Sequence, residues 1–333
     1  MKINLYKAQE NTIYDITEMI SVVEWGGDIQ SAARTADITV MNAPYDPTFW
    51  AMPTASLGDF IGIESEKEIF YGRVYGREKL SENGTVTWNC LDPLQHLLKS
   101  TVRYNFKKKT AEAITAQVCA DFQFPVGSLA ETGIVIPSMI CDNSTIYDII
   151  MGAYTKAYKK NGKLYQCLMK DRVLTVIEKG ITLGGGFILS EDLNITKSSY
   201  TESTESIVNK VKVYNEKGKQ IGEVKDDASA AQYGVFQTVY EQEKGIDPTA
   251  GAKTLIVGPE QSLSIEVIGD MNCIAGRGVT VKDSSTGASG LYWIKSDKHT
   301  FQNGIHTMTL ELDFKNLMDE KEFEAEKEKG DKK

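Results

Sequence analysis

Four residues near the C-terminal end have side chains that could perform hydrolysis. Ser296, Asp297, His299 and His306 lie close together in the stretch SDKHTFQNGIH. A serine, a histidine and an aspartate can act as nucleophile, base and orienting group, and two histidines can contribute to a zinc site. One interpretation of this stretch is therefore the active site of a hydrolase or of a metal-dependent peptidase.

The same stretch also has the pattern of a β-hairpin. Asn303-Gly304 is the strongest short signal for a hairpin turn, and after it His306, Met308 and Leu310 fall on one face of an alternating strand. Two histidines supply only half of a tetrahedral metal site, and no third ligand lies at a recognisable spacing. We therefore expect a hairpin with incidental histidines, and we assign no catalytic, cofactor-binding or metal-binding residue.

The composition disfavours several classes of protein. The chain has 333 residues, a formal net charge of −9 and a pI near 5.1. Nucleic-acid affinity depends on clustered lysine and arginine, so we expect no sequence-specific nucleic acid as a partner. The N-terminal stretch lacks the apolar core of a signal peptide, and no segment approaches the roughly 18 apolar residues of a membrane span. We expect synthesis in the cytoplasm and no membrane partner.

The cysteines occur singly and in odd number, which is typical of reduced thiols in apolar cores. They are Cys90, Cys119, Cys141, Cys167 and Cys273.

Hydrophobic patterns divide the chain into four parts. Residues 1–95 carry short alternating runs typical of an antiparallel β domain, and 96–190 indicate a small α/β domain followed by a linker. Residues 191–316 are again β-rich, and 317–333 form a charged tail that we expect to be flexible. The predicted fold class is β-rich α+β with several domains.

The middle part carries the clearest local signals. Thr110 can cap one helix, an apolar stripe from residue 146 to 157 predicts a second, and Asp171-Arg172 joins two alternating runs as a hairpin turn. The stretch RYNFKKK at 103–109 is interpreted as a solvated basic turn before the first helix, rather than as a surface for single-stranded nucleic acid.

Two segments of the chain resemble each other, which indicates an internal duplication. Residues 57–92 align with 275–313, and upstream ADITVMN aligns more weakly with VNKVKVYN. In this alignment His306 falls opposite Val86, and Ser296-Asp297 fall opposite Gly76-Arg77, so the hydrolytic set is not repeated. The matched positions are Gly58 with Gly276, Ile61 with Val279, Ile63 with Val281, Phe70-Tyr71 with Tyr292-Trp293, and Asn83-Gly84 with Asn303-Gly304.

Several longer stretches resemble a known family. VEWGGDIQSAARTADITVMNAPYDP, LGDFIGI, IFYGRVY and CLDPLQHLLKSTVRYNF near the start, with GDMNCIAGRGVTV and GLYWIKSDKHTFQNGIHTMTLELDF near the end, are similar to the baseplate hub proteins of contractile phage tails. The form is that of PBSX-like prophages and phage-tail-like bacteriocins, and the likeness covers about 20 to 314.

This resemblance implies a structural hub and no enzyme. The chain would form a homotrimer in which two tube-like β-barrel domains per chain make a ring of six similar units. It would join the hexameric tail tube to the central spike, with the tape-measure protein in the bore and baseplate wedge proteins as neighbours. It would assemble in the bacterial cytoplasm and act in the released phage tail or bacteriocin particle. The alternative is a cell-wall hydrolase or metal-dependent peptidase of a phage tail, using the four residues named at the outset.

Overall fold

Alternating apolar residues produce strands along most of the chain. The computed structural model describes residues 1–43, 46, 53–80, 84–242 and 247–324. The fold is β-rich, with several sheets and a smaller helical part, which confirms the predicted fold class. Within these ranges no helix is both long enough and apolar enough to cross a membrane.

Seven strands form the N-terminal part. Their side chains alternate between the core and solvent, as in β4, where Ala36, Ile38 and Val40 are buried. These residues pack with Trp25 and Trp88 in one apolar core. The strands are β1 (Lys2–Lys7), β2 (Thr12–Asp15), β3 (Ile20–Asp28), β4 (Ser31–Met41), β5 (Phe60–Glu64), β6 (Glu68–Leu80) and β7 (Thr85–Leu91).

The middle part contains three helices and five strands around a separate apolar core. The hydroxyls of Thr110 and Thr145 cap its two longer helices, and Asp171 and Arg172 adopt positive φ (50° and 64°) in the hairpin turn. Both predicted helices and the hairpin are confirmed. The elements are α1 (Leu94–Lys99), β8 (Thr101–Thr110), α2 (Ala111–Asp121), β9 (Val126–Leu129), β10 (Val135–Thr145), α3 (Ile146–Asn161), β11 (Tyr165–Lys170) and β12 (Val173–Glu178).

The last part returns to strands. It comprises β13 (Ile188–Ser190), β14 (Ile195–Ser203), β15 (Lys210–Tyr214), β16 (Gln220–Lys225), α4 (Asp227–Tyr233), β17 (Gln237–Glu241), α5 (Pro248–Thr254), β18 (Glu260–Ile268), β19 (Gly278–Asp283), β20 (Ala288–Gln302) and β21 (Ile305–Asp313).

The chain forms two compact units. One comprises residues 1–198 with the described part of 265–333, and the other comprises 199–264. The smaller unit has its own three-stranded sheet, β16-β15-β17, and a small core that includes Val211 and Val213. This division differs from the predicted domain bounds, since it sets 199–264 apart from the rest of the second β segment.

The main sheet has 13 strands and contains the same strand order twice. The first repeat follows β3-β4-β7-β6-β5-β1, and the second follows β14-β18-β21-β20-β19-β13. The last pair differs in direction, because β1 and β5 are antiparallel and β13 and β19 are parallel. The two repeats are joined edge to edge, where β20 pairs with β3.

Local details repeat as well. Gly58 and Gly276 have φ of 90° and 93°, a region that favours glycine, and their amides donate to the carbonyls of Val74 (2.9 Å) and Ile294 (2.8 Å). The strand register then shifts by one residue directly after Val74 and directly after Ile294. Val74 and Ile294 are therefore equivalent positions, which supports the predicted duplication.

The strand registers correct three details of the predicted alignment. Trp293 pairs with Gly278 as Arg73 pairs with Phe60, so Tyr292-Trp293 correspond to Gly72-Arg73 and not to Phe70-Tyr71. Met308, not His306, corresponds to Val86, because the second hairpin is longer. The weak match upstream is also wrong, since ADITVMN lies largely in β4, whose counterpart is β18, whereas VNKVKVYN includes β15 of the smaller unit. Asn83 lies outside the described residues.

Two other expectations need correction. Residues 103–109 are not a turn but part of β8, which pairs with β10 along its length. Residues 317–324 were expected in a flexible tail, yet they lie against α3: Tyr147 donates to Asp319 (2.9 Å) and Lys156 donates to the carbonyl of Phe323 (2.7 Å). The rest of that tail, 325–333, lies outside the described residues.

Candidate functional site: the junction of the two repeats

The junction between the repeats is an antiparallel strand pair. Residues 296–302 of β20 pair with 22–28 of β3 in continuous register. A Cβ atom at Gly26 would lie 2.5 Å from the carbonyl oxygen of Asp297, so only glycine allows this close approach.

A buried ion pair connects the two repeats at this junction. The guanidinium of Arg34, on β4, donates to both carboxylate oxygens of Asp297 (3.0 and 2.5 Å), and the amide of Ala275 donates to the same carboxylate (2.6 Å). Burial alone would raise the pKa of Asp297, but the charge of Arg34 and the hydrogen bonds outweigh it and lower that pKa. Asp297 therefore stays ionised and holds the repeats together.

Aromatic rings extend this cluster along the junction. Arg34 lies over the ring of Trp25 at 4.2 Å, and Trp25 faces His299 across the strand pair at 4.7 Å between ring centroids. A guanidinium over an indole face is a favourable cation–π contact. The charged pair is thus covered by packed rings.

His299 and His306 form a hydrogen-bonded pair. His299 is fully buried, and its Nε2 lies 3.1 Å from the carbonyl of Cys273, so this nitrogen donates. In a neutral imidazole the other nitrogen, Nδ1, is then an acceptor. It accepts a hydrogen bond from Nε2–H of His306 (3.0 Å). Burial and the neighbouring His299 lower the pKa of His306 to about 4, so the His306 ring is neutral near pH 7.

The structure brings three of the four candidate residues together and separates the fourth. Asp297, His299 and His306 lie in the cluster, with Asp297 Oδ2 3.4 Å from His299 Nε2. Ser296 is adjacent to Asp297 in a strand, so its side chain points to the opposite face. In the described part of the chain, no group of three or more His, Cys, Asp or Glu residues could hold a metal ion. This arrangement suits structural hydrogen bonding better than nucleophilic attack.

Sequence reasoning assigned no role to Arg34, Trp25 or Gly26. Each stands in an ordinary strand pattern, and their partners are more than 200 positions away in the chain. The Trp-Gly-Gly run in VEWGGD was the one available signal, because two glycines inside a strand indicate a close approach of another backbone.

A cleft of about 350 Å³ lies beside the junction and is lined by Trp25, Asp92, Gln166 and Lys179 among others. Burial raises the pKa of Asp92 to about 7 and lowers that of Lys179 to about 8. Both groups already have structural partners: Asp92 accepts from the amides of Arg34 (3.1 Å) and Leu94 (2.9 Å), and Lys179 donates to the carbonyl of Leu317 (2.5 Å).

All five cysteines are free and buried, as predicted.

Residues 23–313 match the YQBQ-like family. The chain belongs to this family. It is 27% identical over 305 residues to the phage-like element PBSX protein XkdQ of Bacillus subtilis, covering 88% of this chain and 92% of that protein. The predicted resemblance to PBSX-like tail proteins is confirmed.

Solved structures share the fold of this YQBQ-like protein. The 43 kDa tail protein of prophage MuSo2 from Shewanella oneidensis has a TM-score of 0.70 at 14% identity, covering 94% of this chain and 97% of that one. The tail protein from Neisseria meningitidis MC58 has a TM-score of 0.64 at 12% identity, covering 93% and 95%. The chain thus shares its fold with these two phage tail proteins.

Proposed function

We propose that this YQBQ-like protein is the non-enzymatic hub of a contractile phage tail or of a tail-like bacteriocin. Three copies would form a ring of six similar β units between the hexameric tail tube and the central spike. Two related units under threefold symmetry give six near-equivalent positions, so such a ring can seat on a sixfold tube.

One observation carries this proposal: the two repeats share a strand order and are joined edge to edge within one chain. Through the β20–β3 pair, the edge of one β unit extends the sheet of the next unit. If the same edge-to-edge pairing recurs between chains, it yields either a closed ring or an open helix. The sixfold symmetry of the tail tube favours the ring.

The partners follow from this position. The ring would contact the tail tube protein on one side and the spike on the other, with the tape-measure protein in its bore and baseplate wedge proteins around it. It would be incorporated during assembly in the bacterial cytoplasm and remain in the released particle.

The geometry of the junction favours a structural role over the hydrolase alternative. His299 is fully buried and both its nitrogens are hydrogen-bonded, and the hydroxyl of Ser296 lies on the other face of β20. A general base must reach the proton that it removes, and a ring enclosed in this way does not reach a bulky cell-wall substrate.

The copy number in purified particles tests the proposal. Quantitative mass spectrometry against labelled peptides of this chain and of the tube protein should give three copies per tail. A value of six, or absence from purified particles, would refute the hub. Peptidoglycan digestion by the purified chain that is lost in His299→Ala/His306→Ala would support the hydrolase instead.

A further inference from the structure

One half of β6 presents an exposed strand edge. Residues 68–73 pair with β5, but on that side no described strand pairs with 76–80. The side chains of Arg77, Glu78 and Lys79 are exposed, and Leu80 is 42% exposed. Unpaired strand edges tend to acquire a partner strand.

The equivalent edge in the second repeat is covered. Ile294 corresponds to Val74, so Asp297 and His299 of β20 correspond to Arg77 and Lys79 of β6. Asp297 and His299 are buried because β3 pairs with them. The same position is therefore occupied by a strand in one repeat, whereas no strand among the described residues occupies it in the other.

The strand that corresponds to β3 is β14, and it is at the end of the sheet order. The hydroxyl of Ser21 donates to the carbonyl of Thr39, and the hydroxyl of Thr196 donates to the carbonyl of Glu266, both at 3.0 Å. Ser21 and Thr196 are thus equivalent positions. Counting along the strands, Trp25 corresponds to Tyr200 and Gly27 corresponds to Glu202.

A second pair of hydrogen bonds supports this register. The amide of Asn42 donates to the carbonyl of Gly84 (2.7 Å), and the amide of Gly269 donates to the carbonyl of His306 (2.9 Å). The spacing from Thr39 to Asn42 equals that from Glu266 to Gly269, so β4 and β18 align without a gap.

We propose that residues 76–80 of one chain pair antiparallel with 199–203 of a second copy, in the register of the β20–β3 junction. Lys79 would lie opposite Tyr200, as His299 lies opposite Trp25, and Arg77 would lie opposite Glu202, as Asp297 lies opposite Gly27. The inference rests on the proposed function, since it names the surface through which the hub subunits join.

The chemistry of the two strands fits this pairing. Arg77 and Glu202 carry opposite charges, and oppositely charged cross-strand neighbours stabilise an antiparallel pair. A lysine ammonium beside a tyrosine ring makes a cation–π contact in the place where the ring of His299 packs against Trp25. The contact between chains would thus be more polar than the one within the chain.

Cysteine cross-linking in purified tail particles tests the register. Lys79→Cys and Tyr200→Cys on one chain should give covalent trimers on a denaturing gel after mild oxidation, because directly opposite residues have Cβ atoms about 4.5–5.5 Å apart. The control, Lys79→Cys with Thr201→Cys, places the second cysteine on the opposite face and should give only background. The native cysteines are buried and stay in place.

The outcomes separate this inference from the proposed function. If particles contain three copies per tail but Lys79→Cys with Tyr200→Cys gives no cross-link, the strand pairing is rejected and the hub role is retained. Particles without three copies would reject the hub role itself. Should the cysteine variants fail to assemble, Arg77→Glu and Glu202→Arg serve instead: each alone should reduce particle yield and the double variant should restore it, whereas an additive loss would overturn the pairing.

Discussion

Asp297 is the most constrained charge at the junction, since its side chain is fully buried and Arg34 is the cation that neutralises it. Removing one partner of such a pair leaves an uncompensated charge in the interior, whereas an exposed pair contributes little. Lys298 and Glu24 form an exposed pair across the same two strands at 2.7 Å. The junction therefore contains a buried and an exposed ion pair for direct comparison.

We expect Asp297→Ala to lower the free energy of unfolding by roughly 3–5 kcal/mol, because it leaves Arg34 unpaired. The control Lys298→Ala should cost less than about 1 kcal/mol. Urea unfolding followed by tryptophan fluorescence measures both, since Trp25 lies in the cluster. Equal losses in the two variants would mean that the buried pair is not what holds the repeats together.

His306 should make stability depend on pH. Its pKa is about 4 in the folded chain and about 6.5 when unfolded, so between these values only the unfolded state binds the proton. Stability contributed by neutral His306 is complete above about pH 6.5 and is lost as pH falls toward 4. Allowing for its partial exposure, the loss is about 1–2 kcal/mol.

The variant His306→Gln measures this contribution. It removes the titrating group and keeps a donor for His299, so its stability should fall less than that of the unaltered chain between pH 7 and pH 4.5. The same slope of unfolding free energy against pH in both proteins would show that folding does not lower the pKa of His306.

At the scale of elements, residues 317–324 are held by several contacts along α3. The ring of Phe323 lies so close to Gly152 that a Cβ there would be 2.3 Å from it, and the amide of Lys321 donates to Thr155 (3.1 Å). The glycine makes room for the ring. This segment thus completes the middle core, in which Met318 and Phe323 pack.

Phe323→Ala should release this segment. We expect faster cleavage by proteinase K within residues 317–324 and a loss of about 1–3 kcal/mol of stability, since a partly buried aromatic ring is removed. The control Glu322→Ala removes only an exposed ion pair with Lys159 and should leave the cleavage rate unchanged. Equal cleavage rates in both variants would contradict the packing role of Phe323.

Local signals predicted the elements that depend on neighbouring residues. Thr110 caps its helix through the amide of Ala113, and Asp171-Arg172 turn the hairpin, because both effects act within four residues. The prediction of a turn at 103–109 is wrong. Three consecutive lysines are typical of a solvated turn, but this segment pairs with β10, about thirty residues further along the chain. An alternating pattern indicates a strand but does not identify its partner.

The same limit applies to the candidate site. The hairpin at Asn303-Gly304 could be predicted from spacing alone. The role of Asp297 could not, because Arg34 and Trp25 reach it only through the pairing of β20 with β3. The alignment of the repeats slipped by two residues where the hairpins differ in length, and only strand registers resolve such a shift.

At the scale of the whole molecule, one chain contains two versions of the same β unit and one junction between them. The internal junction is buried, with an ion pair and packed aromatic rings, and it forms as each chain folds. Within the described residues, no strand pairs with 76–80 on the side of β6 that faces away from β7, and β14 is at the end of the sheet order. This asymmetry would let the chain fold as a monomer and close into a ring only where the tube or spike brings three copies together.

A reconstruction of the assembled tail end by electron cryo-microscopy tests the central claim most directly. We predict three copies of this chain in a ring, with residues 57–92 and 275–313 alternating as six superposable hairpin-bearing β units between tube and spike. Six copies in the ring, or a position away from the junction of tube and spike, would contradict the account.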